Sequence, residues 1–184
     1  MWLLPYLATS RFPTYICSMI TIISGTARAG SNTLKVAEYY YNLLRQHTPD
    51  VHLFSLKDIE VHYRSEALVK IESEWLIPSE KFVFVLPEYN GSFPGILKTM
   101  MDYTDIRKCW WHKKALLVGL ADGRGGNARG LDHLSNILHY LKMHVHYNKL
   151  PISKINDELL EDGTFRHEAT RMNIEQQIES FLQF

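Results

Sequence analysis

Pro87-Glu88-Tyr89-Asn90-Gly91-Ser92-Phe93-Pro94-Gly95 follows directly on the apolar run 82–86, Phe-Val-Phe-Val-Leu. A run of that kind, entered from Lys81 and closed by Pro87, predicts a strand buried on both faces of a parallel sheet. The segment after it combines two prolines, two glycines, aromatics and polar groups, and then opens into a helical pattern. In an open α/β sheet, ligands sit outside the carboxyl ends of the strands. A stiff, aromatic, amide-rich loop placed there is a platform for a flat cofactor.

A second loop supports that reading. The β-branched run Ile20-Thr21-Ile22-Ile23 is followed by Ser24-Gly25-Thr26-Ala27-Arg28-Ala29-Gly30-Ser31-Asn32-Thr33, and then by an amphipathic helix. Leu34, Ala37, Tyr41 and Leu44 recur at steps of three and four, which predicts one buried helical face. The loop therefore joins a strand to a helix N-terminus, where free N–H groups and the positive end of the dipole favour an anion. Thr26, Ser31 and Thr33 add hydroxyls, Asn32 an amide and Arg28 a fixed charge. Each piece taken singly also has a structural reading. Ser31 suits an N-cap, Gly25 and Gly30 suit turns, and a lone arginine suits a solvated surface. Two cofactor-type loops after two separate buried strands favour the functional reading.

On these residues the chain resembles the NADPH-dependent FMN reductase family, which has a flavodoxin-like fold and includes quinone, chromate and azo-dye reductases. The matching motifs are Gly25-Thr26-x-Arg28-x-x-Ser31-Asn32-Thr33 and Pro87-Glu88-Tyr89-Asn90-Gly91-Ser92-x-Pro94-Gly95-x-Leu97-Lys98, with Asp102 beyond. The second is long and specific, the first shorter. The similarity runs from about Met19 to the C-terminus. It implies that Thr26, Arg28, Ser31, Asn32 and Thr33 hold the FMN phosphate. It also implies that Pro87, Glu88, Tyr89, Asn90 and Gly91 lie along the isoalloxazine ring.

The rest of the chain alternates strand and helix, as a doubly wound sheet requires. Strands are predicted at 51–56, 115–120 and 143–150. Helices are predicted at 65–77, with Leu68, Ile71 and Trp75 on one face and Pro78 as the stop, and at 95–106. Two more are predicted at 130–142, with Leu131, Leu134, Leu138 and Leu141 in step, and at 168–182, with Ile174, Ile178 and Phe181 facing in. Right-handed crossovers give a flavodoxin-like three-layer α/β sandwich with a five-stranded parallel sheet in the order 2-1-3-4-5. The two loops then leave the strands that flank the switch point.

A third loop, Ala121-Asp122-Gly123-Arg124-Gly125-Gly126-Asn127-Ala128-Arg129-Gly130, follows the fourth strand. Its Gly123-x-Gly125-x-x-Ala128 mimics a dinucleotide fingerprint. That fingerprint belongs after the first strand, with an acidic residue about twenty positions on, and here His146 to Lys149 stand there instead. In the resembling family this loop closes over the pyrimidine end of the flavin and begins with small hydroxyl residues. Ala121 and Asp122 depart from that pattern. Asp122, followed by Gly123, is placed to accept from the flavin N3–H, and a turn-forming Asp explains it equally well.

Composition bounds the alternatives. The chain has 184 residues, 46% hydrophobic and 22% charged, with a formal net charge of zero. That suits one folded domain over 19–184 and offers no bulk attraction to nucleic acid or an anionic membrane. It also disfavours a flavodoxin-type electron shuttle, whose class is strongly acidic. Cys17 and Cys109 make no Cys-x-x-Cys, so neither a disulfide framework nor a dithiol centre is expected, and the simplest compartment is the cytoplasm. Among nine histidines, His144 and His146 share one face of a predicted strand. His133 and His139 are wrongly spaced on a helix, and no carboxylate-histidine cluster forms at ligand spacing. Residues 1–18 form an N-terminal extension. It reads as the product of a start placed ahead of Met19, as a signal peptide, or as an arm packed on the domain; it is too short to span a bilayer.

The resemblance implies an FMN-dependent NAD(P)H oxidoreductase. Hydride would pass from NADPH or NADH to the flavin and on to a quinone, azo, metal-oxyanion or flavin acceptor by ping-pong kinetics. The missing acid and base are no obstacle, because the cofactor carries the chemistry. A flavodoxin-like carrier or sensor without NAD(P)H turnover, and a relative that has lost the flavin and serves only in assembly, stay open. Ile96, Leu97, Met100, Met101, Tyr103 and Ile106 spread widely around one helix, and Cys109-Trp110-Trp111 follows. The family pairs around that helix, which implies a homodimer or homotetramer. The other reading is that the tryptophans pack under a local loop.

Overall fold

The computed structural model describes residues 18–184. The extension, including Cys17, lies outside the described residues except for Ser18. Strands β1 (Ile20–Ser24), β2 (Val51–Ser55), β3 (Lys81–Pro87), β4 (Lys114–Leu120), β5 (His144–Val145) and β6 (Leu150–Ile152) form one parallel sheet. Its path is β2-β1-β3-β4-β5, and β6 also pairs with β4. The α-helices are α1 (Asn32–Leu44), α2 (Glu66–Ile71), α3 (Gly95–Tyr103), α4 (Ile106–Cys109), α5 (Ala128–Tyr140), α6 (Ile155–Glu158) and α7 (Glu168–Gln183), and a 3₁₀ turn (Leu56–Asp58) after β2 and a π-helical turn after α2 complete the element order.

Strand alternation divides the core in two. Ile23, Phe82, Phe84, Leu86, Ala115 and Leu117 face a layer that includes Leu68, Leu97, Met100, Leu131, Leu134 and Leu138. Ile20, Ile22, Val83, Val85, Leu116 and Val118 face a layer that includes Val36, Ala37, Tyr40, Ile174, Ile178 and Phe181. Ser24 pairs with Val85 and Val85 with Val118, so β3 projects beyond β1 by Leu86 and Pro87. The first and second loops therefore leave neighbouring strands at the same edge of the sheet.

Four expectations are corrected. The buried face of α1 is Thr33, Val36, Ala37, Tyr40 and Leu44, with Leu34 and Tyr41 only half-buried. The tyrosine run offered a Tyr to either face. Wholly buried Gln177 on α7 selects Tyr40, accepting from its hydroxyl at 2.6 Å and donating to Asn148 O at 2.7 Å. The 65–77 helix is α-helical only to Ile71 and continues as a π-helical turn, Glu72–Leu76, in which Ile77 N–H reaches Glu72 O. Buried Glu72 takes a two-pronged contact from Arg64 at 2.7 Å and the Asp105 N–H at 3.1 Å.

The 95–106 helix breaks after Tyr103. Asp105 caps α4 by accepting from Arg107 and Lys108 N–H groups, and the Thr104 hydroxyl accepts from the Trp110 indole at 3.0 Å. The single fifth strand is two short ones. Between them His146 turns inward, sharing a 3.0 Å hydrogen bond with Ser180 Oγ and accepting from the Asn148 N–H. Pro151 is tolerated in β6, whose only partner among the described strands is β4.

The tryptophan pair does not present a sticky surface. Trp110 is wholly buried in its own chain beside Phe82 and Phe84. Half-buried Trp111 has the Arg107 guanidinium 5.2 Å from its ring centre and the Lys142 ammonium at 3.8 Å. Of the apolar residues on α3 and α4, Tyr103 and Ile106 stay exposed, while Leu97, Met100 and Met101 are buried.

Candidate functional site

Leaving β1, the first loop is still held to the sheet, because Gly25 N–H donates to Val85 O at 2.9 Å. At its end Ser31 caps α1. Its side chain and its carbonyl both accept from the Leu34 N–H. The Asn32 and Thr33 N–H groups precede the intrahelical ladder and open the positive end of a thirteen-residue helix.

Tyr89 ties the first loop to the second. Its hydroxyl shares a 2.6 Å hydrogen bond with Thr26 Oγ1, and the Arg28 guanidinium lies over its ring, 4.1 Å from the centre. Thr26 is buried and also accepts from the Arg28 N–H at 3.3 Å. Beyond Tyr89 the chain reverses tightly. Tyr89 and Ser92 exchange backbone hydrogen bonds of 2.8 and 3.1 Å across Asn90 (φ 53°) and Gly91 (φ 78°). Two central residues in the left-handed region make the two-residue hairpin for which Asn-Gly is the preferred pair. The Ser92 hydroxyl then shares a 2.9 Å hydrogen bond with His133 Nδ1 on α5.

Between these loops lies a cleft of about 350 Å³, bordered by residues 28–33, 87–89, 120–122 and 155–156. Arg28, Ser31, Asn32, Thr33, Pro87, Glu88, Tyr89 and Asp122 all border it, so most of the residues singled out from sequence converge. Thr26 does not border the cleft and joins it only through its hydrogen bond to Tyr89. Asn90 and Gly91 sit at the hairpin tip and do not border the cleft, and neither does Gly123, whose carbonyl accepts from Lys154 N–H at 3.1 Å.

Sequence reading missed the last wall. Ala121 donates to Ile152 O and accepts from Ile155 N–H, both at 3.1 Å, which fastens the segment after β6 onto the third loop. Ile155 and Asn156 thereby reach the cleft, and Asn32 Nδ2 donates to Asn156 Oδ1 at 2.8 Å. No motif marks Asn156, and only the fold brings it to a residue 124 positions away.

The matching family model, NADPH-dependent FMN reductase, covers residues 18–157. The chain belongs to that family. It is a reductase of the family's NAD(P)H-dependent, FMN-using type. The FMN-dependent NADPH-azoreductase of Staphylococcus saprophyticus is 27% identical over 157 residues, 78% of this chain and 81% of that protein. The NAD(P)H-dependent FMN reductase of Pseudomonas aeruginosa is 28% identical over 110 residues, 58% of this chain and 60% of that protein. In fold, the chain superposes on the flavoenzyme NAD(P)H:(acceptor) oxidoreductase FerB from Paracoccus denitrificans with a TM-score of 0.73 at 21% identity, covering 90% and 96% of the two chains.

The residues present fit FMN. One end of the cleft offers a helix N-terminus, hydroxyls, an amide and an arginine, which is the chemistry of a phosphate site. The other offers Pro87, Tyr89, Leu120 and Ala121, which suit a flat ring, with Asp122 as a polar edge. The volume lies in the range of small-molecule sites, roughly 300–1,000 Å³. Among the described residues two buried side-chain atoms lack a hydrogen-bond partner, Ser24 Oγ at the end of β1 and Asn127 Oδ1 at the start of α5, and neither residue borders the cleft. No group of three or more His, Cys, Asp or Glu among the described residues is arranged to hold a metal ion.

Proposed function

We propose that the cleft at the carboxyl edge of β1, β3 and β4 is the FMN site of an NAD(P)H oxidoreductase. Its acceptor is a small quinone, azo compound, metal oxyanion or free flavin. The observation that carries the reading is the convergence of residues 28–33, 87–89 and 122 on one cleft. Bound there, FMN supplies hydride acceptance and electron transfer. The chain's part is to bind and orient. Arg28, the Ser31 and Thr33 hydroxyls and the first amides of α1 take the phosphate, and Asn32 and Asn156 close that end. Pro87 and Tyr89, held by Thr26, give the ring a stiff apolar wall. Asp122 accepts a hydrogen bond at the pyrimidine edge.

A donor and an acceptor that use one open face in turn give ping-pong kinetics. We place the protein in the cytoplasm, as a single domain over 19–184. Among the described residues no helix is long and apolar enough to cross a membrane. We further propose a homodimer. Its support is the exposure of Ile106 and Tyr140 at a groove of about 510 Å³ between α3 and α5, lined also by Met101, Ile137 and Leu141, and the exposure of Tyr103 on α3.

An absorbance spectrum of the purified protein, taken with FMN before and after NADPH without oxygen, tests the function. A yellow protein bleached by NADPH is expected. Yellow colour without bleaching would indicate a carrier, and a protein that rejects FMN would indicate a role in assembly.

A further inference from the structure

Asn127 has no part in the motifs above, yet it is wholly buried at the root of the flavin loops. It stands just before α5 with φ 68° and ψ 25°, in the left-handed region that asparagine tolerates better than most residues. Its Nδ2 donates to two successive carbonyls at the end of β3, Leu86 O at 3.1 Å and Pro87 O at 3.0 Å. Both N–H donors of the carboxamide are thus spent on the point where β3 becomes the ring loop. Beside the ladder pairs Leu86–Gly119 and Pro87–Leu120, Glu88 N–H donates to Leu120 O at 2.8 Å at the same point.

The pocket around the carboxamide is closed. Asn127 Oδ1 is buried without a hydrogen-bond partner and faces Gly130. A Cβ on Gly130 would fall 2.1 Å from that oxygen and 2.8 Å from the Phe93 N of the ring loop. The absent side chain at 130 is therefore what lets the carboxamide and the ring loop come together.

We propose that Asn127 is a positioning residue for the flavin: it fixes the angle at which the Pro87–Tyr89 wall leaves the sheet and so sets the slot between that wall and Asp122. The proposal rests on the FMN reading of the cleft. An aspartate of the same shape offers no donor to the two carbonyls, and burying a charge against them is unfavourable.

The test compares wild type with Asn127→Ala, Gly130→Ala and Leu138→Ala. The first removes the donors, the second displaces the intact carboxamide, and the third opens the core from the same helix far from the loop. Each is titrated with FMN, and the visible spectrum and midpoint potential of the bound flavin are recorded beside the apoprotein melting temperature. Asn127→Ala and Gly130→Ala should weaken FMN binding at least tenfold and move the flavin spectrum and potential in the same direction. Leu138→Ala should lower the melting temperature and leave the bound flavin's spectrum unchanged. If Asn127→Ala lowers only the melting temperature while affinity, spectrum and potential match wild type, the residue is structural and the proposal falls alone. If wild type takes up no FMN, the flavin reading falls and takes this proposal with it.

Discussion

Replacing Arg28 with alanine separates cofactor binding from folding. In the folded chain the guanidinium lies 4.1 Å over the Tyr89 ring, on a side chain that is otherwise exposed. An exposed cation–π contact is worth about 0.5–1 kcal/mol, so the apoprotein should lose no more than that. The Thr26–Tyr89 hydrogen bond and the backbone contact from residue 28 to Thr26 both survive the substitution. A charge-assisted contact to a phosphate is worth roughly 1.5–3 kcal/mol, which is about ten- to a hundredfold in affinity. Apoprotein titrated with FMN and followed by flavin fluorescence should show that loss, with a weaker salt dependence than wild type because one fixed charge is gone. Arg28→Lys should recover part of the affinity, since it restores the charge but not the planar stacking group. An unchanged dissociation constant for Arg28→Ala would remove the residue from the phosphate site. An unfolding free energy from urea titration that falls by several kcal/mol would show that its role is structural.

Tyr89→Phe and Thr26→Val each delete one end of a 2.6 Å hydrogen bond. The double-mutant cycle should give a coupling of about 0.5–1.5 kcal/mol in apoprotein stability, and a zero coupling would mean the hydroxyls do not tie the loops. Burial, with the Lys81 ammonium adding to it, holds the His146 imidazole below its ordinary range. The unfolded chain then takes up the proton first, near pH 6.5. The stability this group contributes is complete above that pH and is lost as pH falls below it. His146→Gln should flatten that limb of the urea midpoint plotted from pH 8 to 5, and parallel curves for the two proteins would refute the assignment. Light scattering at micromolar concentration should give about twice the 21.4 kDa chain mass, and Tyr140→Asp should drive it toward one chain. A wild-type mass of one chain across the range would sink the dimer.

Much of the candidate site is legible in the sequence, because its two main loops are local features. Whether Gly25 to Thr33 can cradle an anion depends on a strand before it and a helix after it, and both are written in neighbouring residues. The hairpin at Asn90-Gly91 is likewise a local feature, since Asn-Gly is the pair that favours left-handed backbone at both central residues. The sheet order follows from a short list of rules about handedness and crossovers.

What the sequence did not carry is anything decided by contact between distant segments. Tyr40 and Tyr41 are interchangeable to a periodicity count, and buried Gln177 on α7 chose between them. Trp110 could serve a pairing helix or a local loop, and the break at Thr104–Asp105 turned it into its own core. Asn156 and Asn127 carry no local signal at all. One becomes a wall of the cleft because β6 pairs with β4, and the other becomes a clamp because its carboxamide meets the end of β3. Local sequence determines which backbone shapes a loop can take. Which side chains then meet across it is set only when the sheet brings their strands into register.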